Sequence, residues 1–460
     1  MTALKRFSTP QLRKLHSGKV RESFRIDAAR RLGVVTDRIS AFDRVLDTAI
    51  PRKGDVLNSL SDFWFSATRE IQENHVVEAV DPCATVVREA QPVRIEVVVR
   101  GFITGSMWRQ YAKGKRVFSG VELPEGLRQN QRLLAPVLTP TTKGEVDLEV
   151  SPREIVEQGL ASQERWDEMA AAGLALFSAG TKLLEPKGLL LADTKYEFGT
   201  VDGRLVLIDE LHTPDSSRLW LAQQHERDPL SIDSLDKEYV RAWLRKEAEK
   251  GPMPTSLPRH VVDETSRRYC ELHRRVTGQE LPEDGRSAGE RLCANLVRRG
   301  LIRDGYVVVF MGSRADLDHA RAIADYLRPY EVAVDLRVVS AHKNGERITD
   351  MAGEYNGSFE PGAAIAVAGL SNGLGGALAA NLNVPVISCP PLKDPADVLL
   401  NIGSSLMMPG KVPAATVLRP DNAAQAALRC LNLLRLRERL SHEIEDTKRA
   451  LLAADMELRG

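Results

Sequence analysis

Apolar and polar positions divide the chain into two stretches of different period. From about residue 305 to 430, short apolar runs alternate with amphipathic segments. Tyr306-Val307-Val308-Val309-Phe310 is apolar throughout, as a parallel strand buried on both faces requires. Beyond Gly312-Ser313, apolar residues Leu317, Ala320, Ile323, Ala324 and Leu327 share one helical face. Further strands are predicted over Val332 to Val339, Ala363 to Ala368 and Val384 to Ser388. This alternation implies right-handed βαβ units and a three-layer α/β sandwich around a parallel sheet. Ligands of such sheets sit at the carboxyl ends of the strands. Three polar, glycine-bearing segments fall there, at residues 312–316, 340–343 and 369–376.

Residues 1–278 mix strands, hairpins and long helices, an α+β pattern. Leu189 to Gly199 and Arg204 to Glu210 flank Asp202-Gly203, a type I′ hairpin signal. Alternation puts Asp193, Lys195 and Glu197 on one face. The register decides whether Asp209 or Glu210 joins them, and the sequence leaves both open. Residues 279–304 read as a linker carrying a helix (Gly289 to Arg299), and 305–460 as the second domain. After Pro420 the chain is helical to its end. A stripe of Leu433, Leu436, Leu440, Ile444, Thr447 and Leu451 suits packing on the domain surface or an oligomer contact.

Composition narrows the class. With 460 residues, 43% hydrophobic and 27% charged, the chain is globular and too long for one ordinary domain. Lys+Arg and Asp+Glu both number 63, which argues against nucleic acid and membrane as partners, since both favour a basic surplus. No apolar run is long enough for a bilayer, and residues 1–14 lack the apolar core of a secretory signal. Five scattered cysteines with no CxxC pair argue against a disulfide framework or structural zinc. Together these predict a cytoplasmic protein.

Several segments carry chemistry. In Ser17-Gly18-Lys19-Val20-Arg21, glycine permits close backbone approach, and Lys19 and Arg21 can face the same phosphates. The Walker A spacing is absent, and a surface turn is the plain alternative. Arg100, Gly101, Gly105 and Ser106 follow a buried strand as a phosphate cradle or a simple strand end. Ser217 and Arg218 follow the hairpin in Thr213-Pro214-Asp215-Ser216-Ser217-Arg218. Glu197, Asp209 and Glu210 offer oxygen ligands suited to Mg²⁺, or a solvated strand face. His342, at a strand's carboxyl end, is the side chain best able to move protons near neutral pH.

In combination these motifs are far more specific. Lys19-Val20-Arg21, Thr36-Asp37-Arg38-Ile39-Ser40-Ala41-Phe42-Asp43, Arg100 to Ser106, Ala192 to Gly199, Asp209-Glu210 and Thr213 to Arg218 resemble SAICAR synthetase, in that family's order. Residues 305 to about 435 resemble AIR carboxylase, through Met311 to Asp316, Val339 to Lys343, Ser371-Asn372-Gly373-Leu374-Gly375 and Ser388-Cys389-Pro390-Pro391. Lys343 after His342, and SNGLG in place of a histidine-bearing loop, resemble class II carboxylases that use CO₂ directly.

The resemblance implies an ATP-grasp-related α+β domain followed by a flavodoxin-like α/β domain. It implies carboxylation of aminoimidazole ribonucleotide (AIR) with CO₂ to give CAIR, then ATP-dependent coupling of CAIR to L-aspartate. Lys19 and Arg21 would bind ATP, and Glu197 and Asp209 would hold Mg²⁺. Arg100, Ser106, Ser217 and Arg218 would bind the nucleotide substrate, with Asp193 and Lys195 catalytic. In the carboxylase, His342 would take the C4 proton. Gly312, Ser313, Asp316, Lys343, Ser371 and Asn372 would bind the nucleotide, and no biotin is needed. The carboxylase family implies a homo-octamer. Two departures stand out: Val146 precedes Asp147 where the ligase family has a His-Asp pair, and Leu370 replaces an arginine. A ligase for another amine and a ligase with a non-catalytic oligomerisation domain are the competing readings.

Overall fold

A computed structural model describes residues 3–144, 147–232, 234–283, 285–369, 373–392, 396, 398 and 402–460. Val146, Leu370, Ser371 and Asn372 lie outside the described residues. The chain forms two compact units, Met1–Arg6 with Lys14–Leu292, and Phe7–Arg13 with Cys293–Gly460. The division differs from the sequence boundaries in two ways. It falls inside the helix Ala288–Arg298, and a short N-terminal segment belongs to the second unit.

The first unit is α+β, built on two antiparallel sheets. One has five strands in the order Arg13–Ser17, Arg21–Arg25, Arg30–Val35, Ala84–Arg88, Val76–Asp81. The other places the long strand Leu189–Val201 between Gln91–Phe102 and Arg204–Ile208, with Ser217–Leu221 also paired to it. The helices Lys53–Ala67, Gln163–Leu184 and Arg259–Thr277 contribute Leu57, Leu60, Leu176 and Leu272 to the main core. The hairpin turn is as its sequence predicts, with Asp202 at φ 50° and Gly203 at φ 78°.

The second unit is a five-stranded parallel sheet in the order Ala333–Val338, Tyr306–Met311, Gly362–Val367, Val386–Ser388, Ala414–Thr416. In chain order this is 2-1-3-4-5, the flavodoxin-like arrangement. Alternation along the central strand feeds two cores. Val307, Val309 and Met311 pack with the helices Leu317–Leu327 and Pro420–Leu431, while Tyr306, Val308 and Phe310 pack with Arg347–Asn356 and Gly373–Ala379. The C-terminal helical stretch breaks at Asn432 (φ 52°) and resumes as Leu434–Arg459. Only the start of the predicted stripe is covered: Leu436 and Leu440 are buried, whereas Ile444 and Leu451 are exposed.

Candidate active sites

In the first unit the central strand Leu189–Val201 organises the site. Asp193 lies opposite Arg100 on one neighbouring strand and Arg218 on the other. Arg100 Nη1 donates to Asp193 Oδ2 at 2.9 Å, and Arg218 pairs with the same oxygen. Arg100 also donates through Nε to Thr139 Oγ1 at 2.8 Å, and its Nη2 lies 3.5 Å from Ser106 Oγ. One carboxylate thus holds two guanidinium groups side by side, as a phosphate cradle needs. Gly105 (φ 58°) makes room for them, because a Cβ there would stand 2.6 Å from Arg218 Nη2. The Ser217 hydroxyl donates to Thr194 Oγ1 at 2.8 Å, and both residues line the same cavity.

Two residues along, Lys195 donates to Glu96 Oε1 at 2.6 Å and lies 3.6 Å from Glu197. Burial opposes its charge, yet Glu96 and Glu197 outweigh it and raise Lys195 above the usual lysine range. Burial likewise works against the Glu197 carboxylate, but Lys143 and Lys195 hold it below the usual range. The question of Asp209 against Glu210 has an unexpected answer. The hairpin pairs Glu197 with Ile208, and Asp209 then turns into the left-handed region at φ 66°. That turn breaks the alternation, so both carboxylates reach Arg21: Asp209 by an ion pair and Glu210 at 3.2 Å.

Arg21 follows a tight turn closed by Gly18 N donating to Arg21 O at 2.8 Å. Lys19 pairs with Asp43 at 2.8 Å, and both side chains are largely exposed. Arg38 clamps this loop, donating to Gly18 O at 2.9 Å and Lys19 O at 3.1 Å.

Two cavities meet here. One of about 660 Å³ takes in Lys19, Arg100, Ser106, Asp193, Lys195 and Arg218. The other, about 460 Å³, lies between the first sheet and the helix Lys53–Ala67. Arg21, Lys143 and Asp209 line both. The second cavity escaped sequence reasoning, since its lining (Ser23, Gly33, Phe65, Val87) is spread over elements without a motif. The one cluster of metal-ligating type among the described residues is elsewhere: Asp55, Asp81 and Cys83, where Arg291 binds both carboxylates.

In the second unit, Gly312, Ser313, Asp316, His342 and Lys343 follow the carboxyl ends of Tyr306–Met311 and Ala333–Val338, beside the switch point of the sheet; Ser371 and Asn372 lie outside the described residues. Ser313 caps the turn into the helix Leu317–Leu327. Its N–H and hydroxyl both donate to Asp316 Oδ2 at 3.1 Å. A Cβ on Gly312 would stand 3.2 Å from that of Ala368. His342 sits in a turn closed by Ser340 N donating to Asn344 Oδ1 at 2.7 Å. A Cβ on Gly373 would stand 3.1 Å from His342 Cε1, so glycine lets the start of the helix Gly373–Ala379 approach the imidazole. His342 and Lys343 are both exposed.

Comparison with known proteins identifies a family for each unit. The family pattern of SAICAR synthetase matches residues 14–255, and that of AIR carboxylase matches residues 306–451. A phosphoribosylaminoimidazole-succinocarboxamide synthase of Legionella pneumophila (strain Paris) is 40% identical over 301 residues, 62% of this chain and 95% of that protein. One from Bacteroides fragilis is 39% identical over 301 residues, 63% of this chain and 96% of that protein. Among solved structures, a SAICAR synthase from Saccharomyces cerevisiae, complexed with SAICAR, is 31% identical with a TM-score of 0.54. The match covers 60% of this chain and 97% of that one. The chain belongs to the SAICAR synthetase family and carries an AIR carboxylase domain after it.

Proposed function

We propose that this chain catalyses two successive steps of purine biosynthesis, carboxylating AIR to CAIR and then coupling CAIR to L-aspartate with ATP. The observation that carries the coupling step is the wall of Arg21, Lys143 and Asp209 common to two cavities. A carboxylate is inert to amines until it is made an acyl phosphate. Phosphoryl transfer needs donor and acceptor in line across a charged boundary. ATP in the smaller cavity would direct its γ-phosphate at that wall, with Lys19 and Arg21 on the phosphates. CAIR in the larger one would rest its 5′-phosphate on Arg100, Ser106, Ser217 and Arg218. Its carboxylate oxygen attacks the γ-phosphorus and ADP leaves. The amine of aspartate then attacks the acyl carbon and phosphate leaves. Lys195 would steady the developing negative charge, with Asp193 aligning the arginines.

The donors at the wall are hard carboxylate oxygens, which fits Mg²⁺. Glu197 and Asp209 would hold the ion, which screens phosphate charge when bound.

In the second unit His342 would take the C4 proton as the electron-rich aminoimidazole adds to CO₂. Ser313 and Lys343 would bind phosphate, Gly312 would allow its approach and Asp316 would bind the ribose; Ser371 and Asn372 are assigned to the nucleotide by the family resemblance alone. No biotin is required, because AIR is itself the nucleophile. By its family resemblance the second unit would assemble as a homo-octamer. No described helix is long and apolar enough to cross a membrane, and we place the enzyme in the cytoplasm. The test is product analysis with AIR, bicarbonate, aspartate and ATP. SAICAR formed only when ATP is present supports the reading, and failure to form CAIR refutes its first step.

A further inference from the structure

The helix Lys53–Ala67 presents two faces. Leu57, Leu60 and Trp64 are buried in the core, while Asn58, Ser61, Asp62 and Phe65 line the 460 Å³ cavity. On this second face the polar groups are not all used. Asn58 is engaged: its Oδ1 accepts from Thr85 Oγ1 at 3.1 Å, and its amide donates to Asp81 O at 3.3 Å. The Ser61 hydroxyl, in a residue only 5% exposed, has no hydrogen-bond partner among the described residues. No described group pairs with the carboxylate of Asp62, whose pKa burial alone raises.

Local charge balance does not explain Asp62. The four Lys and Arg cations lining the cavity are already answered: Arg21 by Asp209, Arg31 by Glu89, Arg88 by Glu73 and Lys143 by Glu197. Asp62 is therefore a surplus carboxylate facing a half-open cavity, beside an unused hydroxyl. Even half-buried, an unpaired carboxylate carries a desolvation cost, which is relieved by a donor that arrives with a ligand. Negatively charged phosphates would be repelled from this face. The fitting chemistry is a neutral O–H or N–H donor, and a nucleotide offers two sources, the ribose hydroxyls and the exocyclic amine of the base.

We propose that Asp62, with Ser61 beside it, recognises the nucleoside part of ATP by accepting a hydrogen bond from one of these donors. This rests on the reading of the cavity as the nucleotide site. The substituted chains D62A and S61A are compared with the unaltered full-length protein on ATP, 2′-deoxyATP, 3′-deoxyATP and purine riboside triphosphate. The deoxy analogues lack one ribose hydroxyl each, and the last lacks the amine. The unaltered protein should show a KM roughly tenfold to a hundredfold higher for the analogue missing the recognised donor. In D62A the KM for ATP should rise to that same level, with no further loss on that analogue. S61A should show a smaller change in the same direction. Without ligand, D62A should melt no lower than the unaltered protein, because no native partner is lost. Equal losses on all four nucleotides in D62A, or no discrimination by the unaltered protein, would overturn the proposal. Coupling that needs no ATP at all would instead overturn the nucleotide reading beneath it.

Discussion

Arg21 and Asp209 form an ion pair at the wall common to the two ligase cavities. A cation suited to ATP phosphates and a carboxylate suited to Mg²⁺ thus neutralise each other until ligands arrive. Removing Arg21 leaves Asp209 facing the cavity uncompensated, and removing Asp209 leaves Arg21 to Glu210 alone. R21A and D209N should each lower ATP-dependent coupling by at least roughly a hundredfold, the range of one lost charge-stabilising group at a reacting centre. Carboxylation should be unchanged in both. The converse variant, H342N, should lose carboxylation and still couple supplied CAIR. A folded variant of either kind that lost both activities would contradict the assignment of two separate sites.

Coupling should require Mg²⁺ and carboxylation should not. The ligase wall gathers Glu197, Asp209 and Glu210 around Arg21 and Lys143. At the carboxylase loops, Asp316 is occupied by the N–H and hydroxyl of Ser313. A chelator titration on the intact protein separates the two rates. Loss of CAIR formation on chelation would refute this assignment.

Parts of this arrangement are legible in the sequence because they are local. The run Tyr306–Met311 declares a doubly buried strand, and Asp202-Gly203 declares its turn through the positive φ that both residues adopt. Asp193 with Arg100 and Arg218 depends instead on the register of three strands far apart in the chain. The two-carboxylate grip on Arg21 depends on one residue, Asp209, leaving the strand conformation, which no alternation rule foresees. Docking of Phe7–Arg13 with the second unit is also invisible locally. Its anchors, Glu360 for Thr9 and the Arg303 backbone for Gln11, lie some three hundred residues away.

That docking predicts a selective stability effect. Glu360 is 4% exposed and accepts from Thr9 Oγ1 and, at 3.3 Å, from Gln11 Nε2. Phe7 is fully buried and stacks on Phe359 at 6.0 Å. T9V keeps the shape and removes a donor to a buried carboxylate, at a cost of about 1.5–3 kcal/mol. The unfolding transition of the carboxylase unit should fall by roughly 3–10 °C, while that of the ligase unit stays in place. Calorimetry distinguishes this from a general loss, in which both transitions would move together.

Asp37 supplies a pH dependence of known sign. Its carboxyl is buried and accepts from Leu4 N at 2.7 Å and Gly54 N at 2.8 Å. Desolvation outweighs these bonds and raises its pKa from 3.8 to about 6. The folded state therefore binds more protons than the unfolded state between those values. The stability this group contributes is present below about pH 4 and is lost as pH rises through 6. The full effect is about 3 kcal/mol at 1.36 kcal/mol per unit. Urea unfolding of the ligase unit at pH 4 and 7 should show D37N with a flatter profile than the unaltered chain. Identical slopes would rule Asp37 out as the source.

The last prediction concerns the amino acid that is coupled. By the family resemblance, Val146 stands where a histidine would give a hydrogen bond or a charge to a substrate carboxylate, and valine can give neither. Arg38 and Lys143 are the cations open to that role by the sequence, and the structure commits both. Arg38 spends its donors on Glu22 and on the carbonyls of Lys5, Gly18 and Lys19. Lys143 is paired with Glu197. Aspartate should therefore bind roughly tenfold to a hundredfold more weakly than in relatives with the His-Asp pair, the worth of one hydrogen bond to a charged group. V146H should recover most of that loss in KM with little change in kcat, since the contact is to a part of the substrate that does not react. Coupling rates with aspartate, glutamate, asparagine and alanine decide between the outcomes. Weak but exclusive use of aspartate, improved by V146H, supports the prediction. Tight and exclusive use of aspartate shows that the histidine is dispensable here. A better amine than aspartate means that the pocket has changed its substrate, and that the second reaction of this chain ends in a different amide.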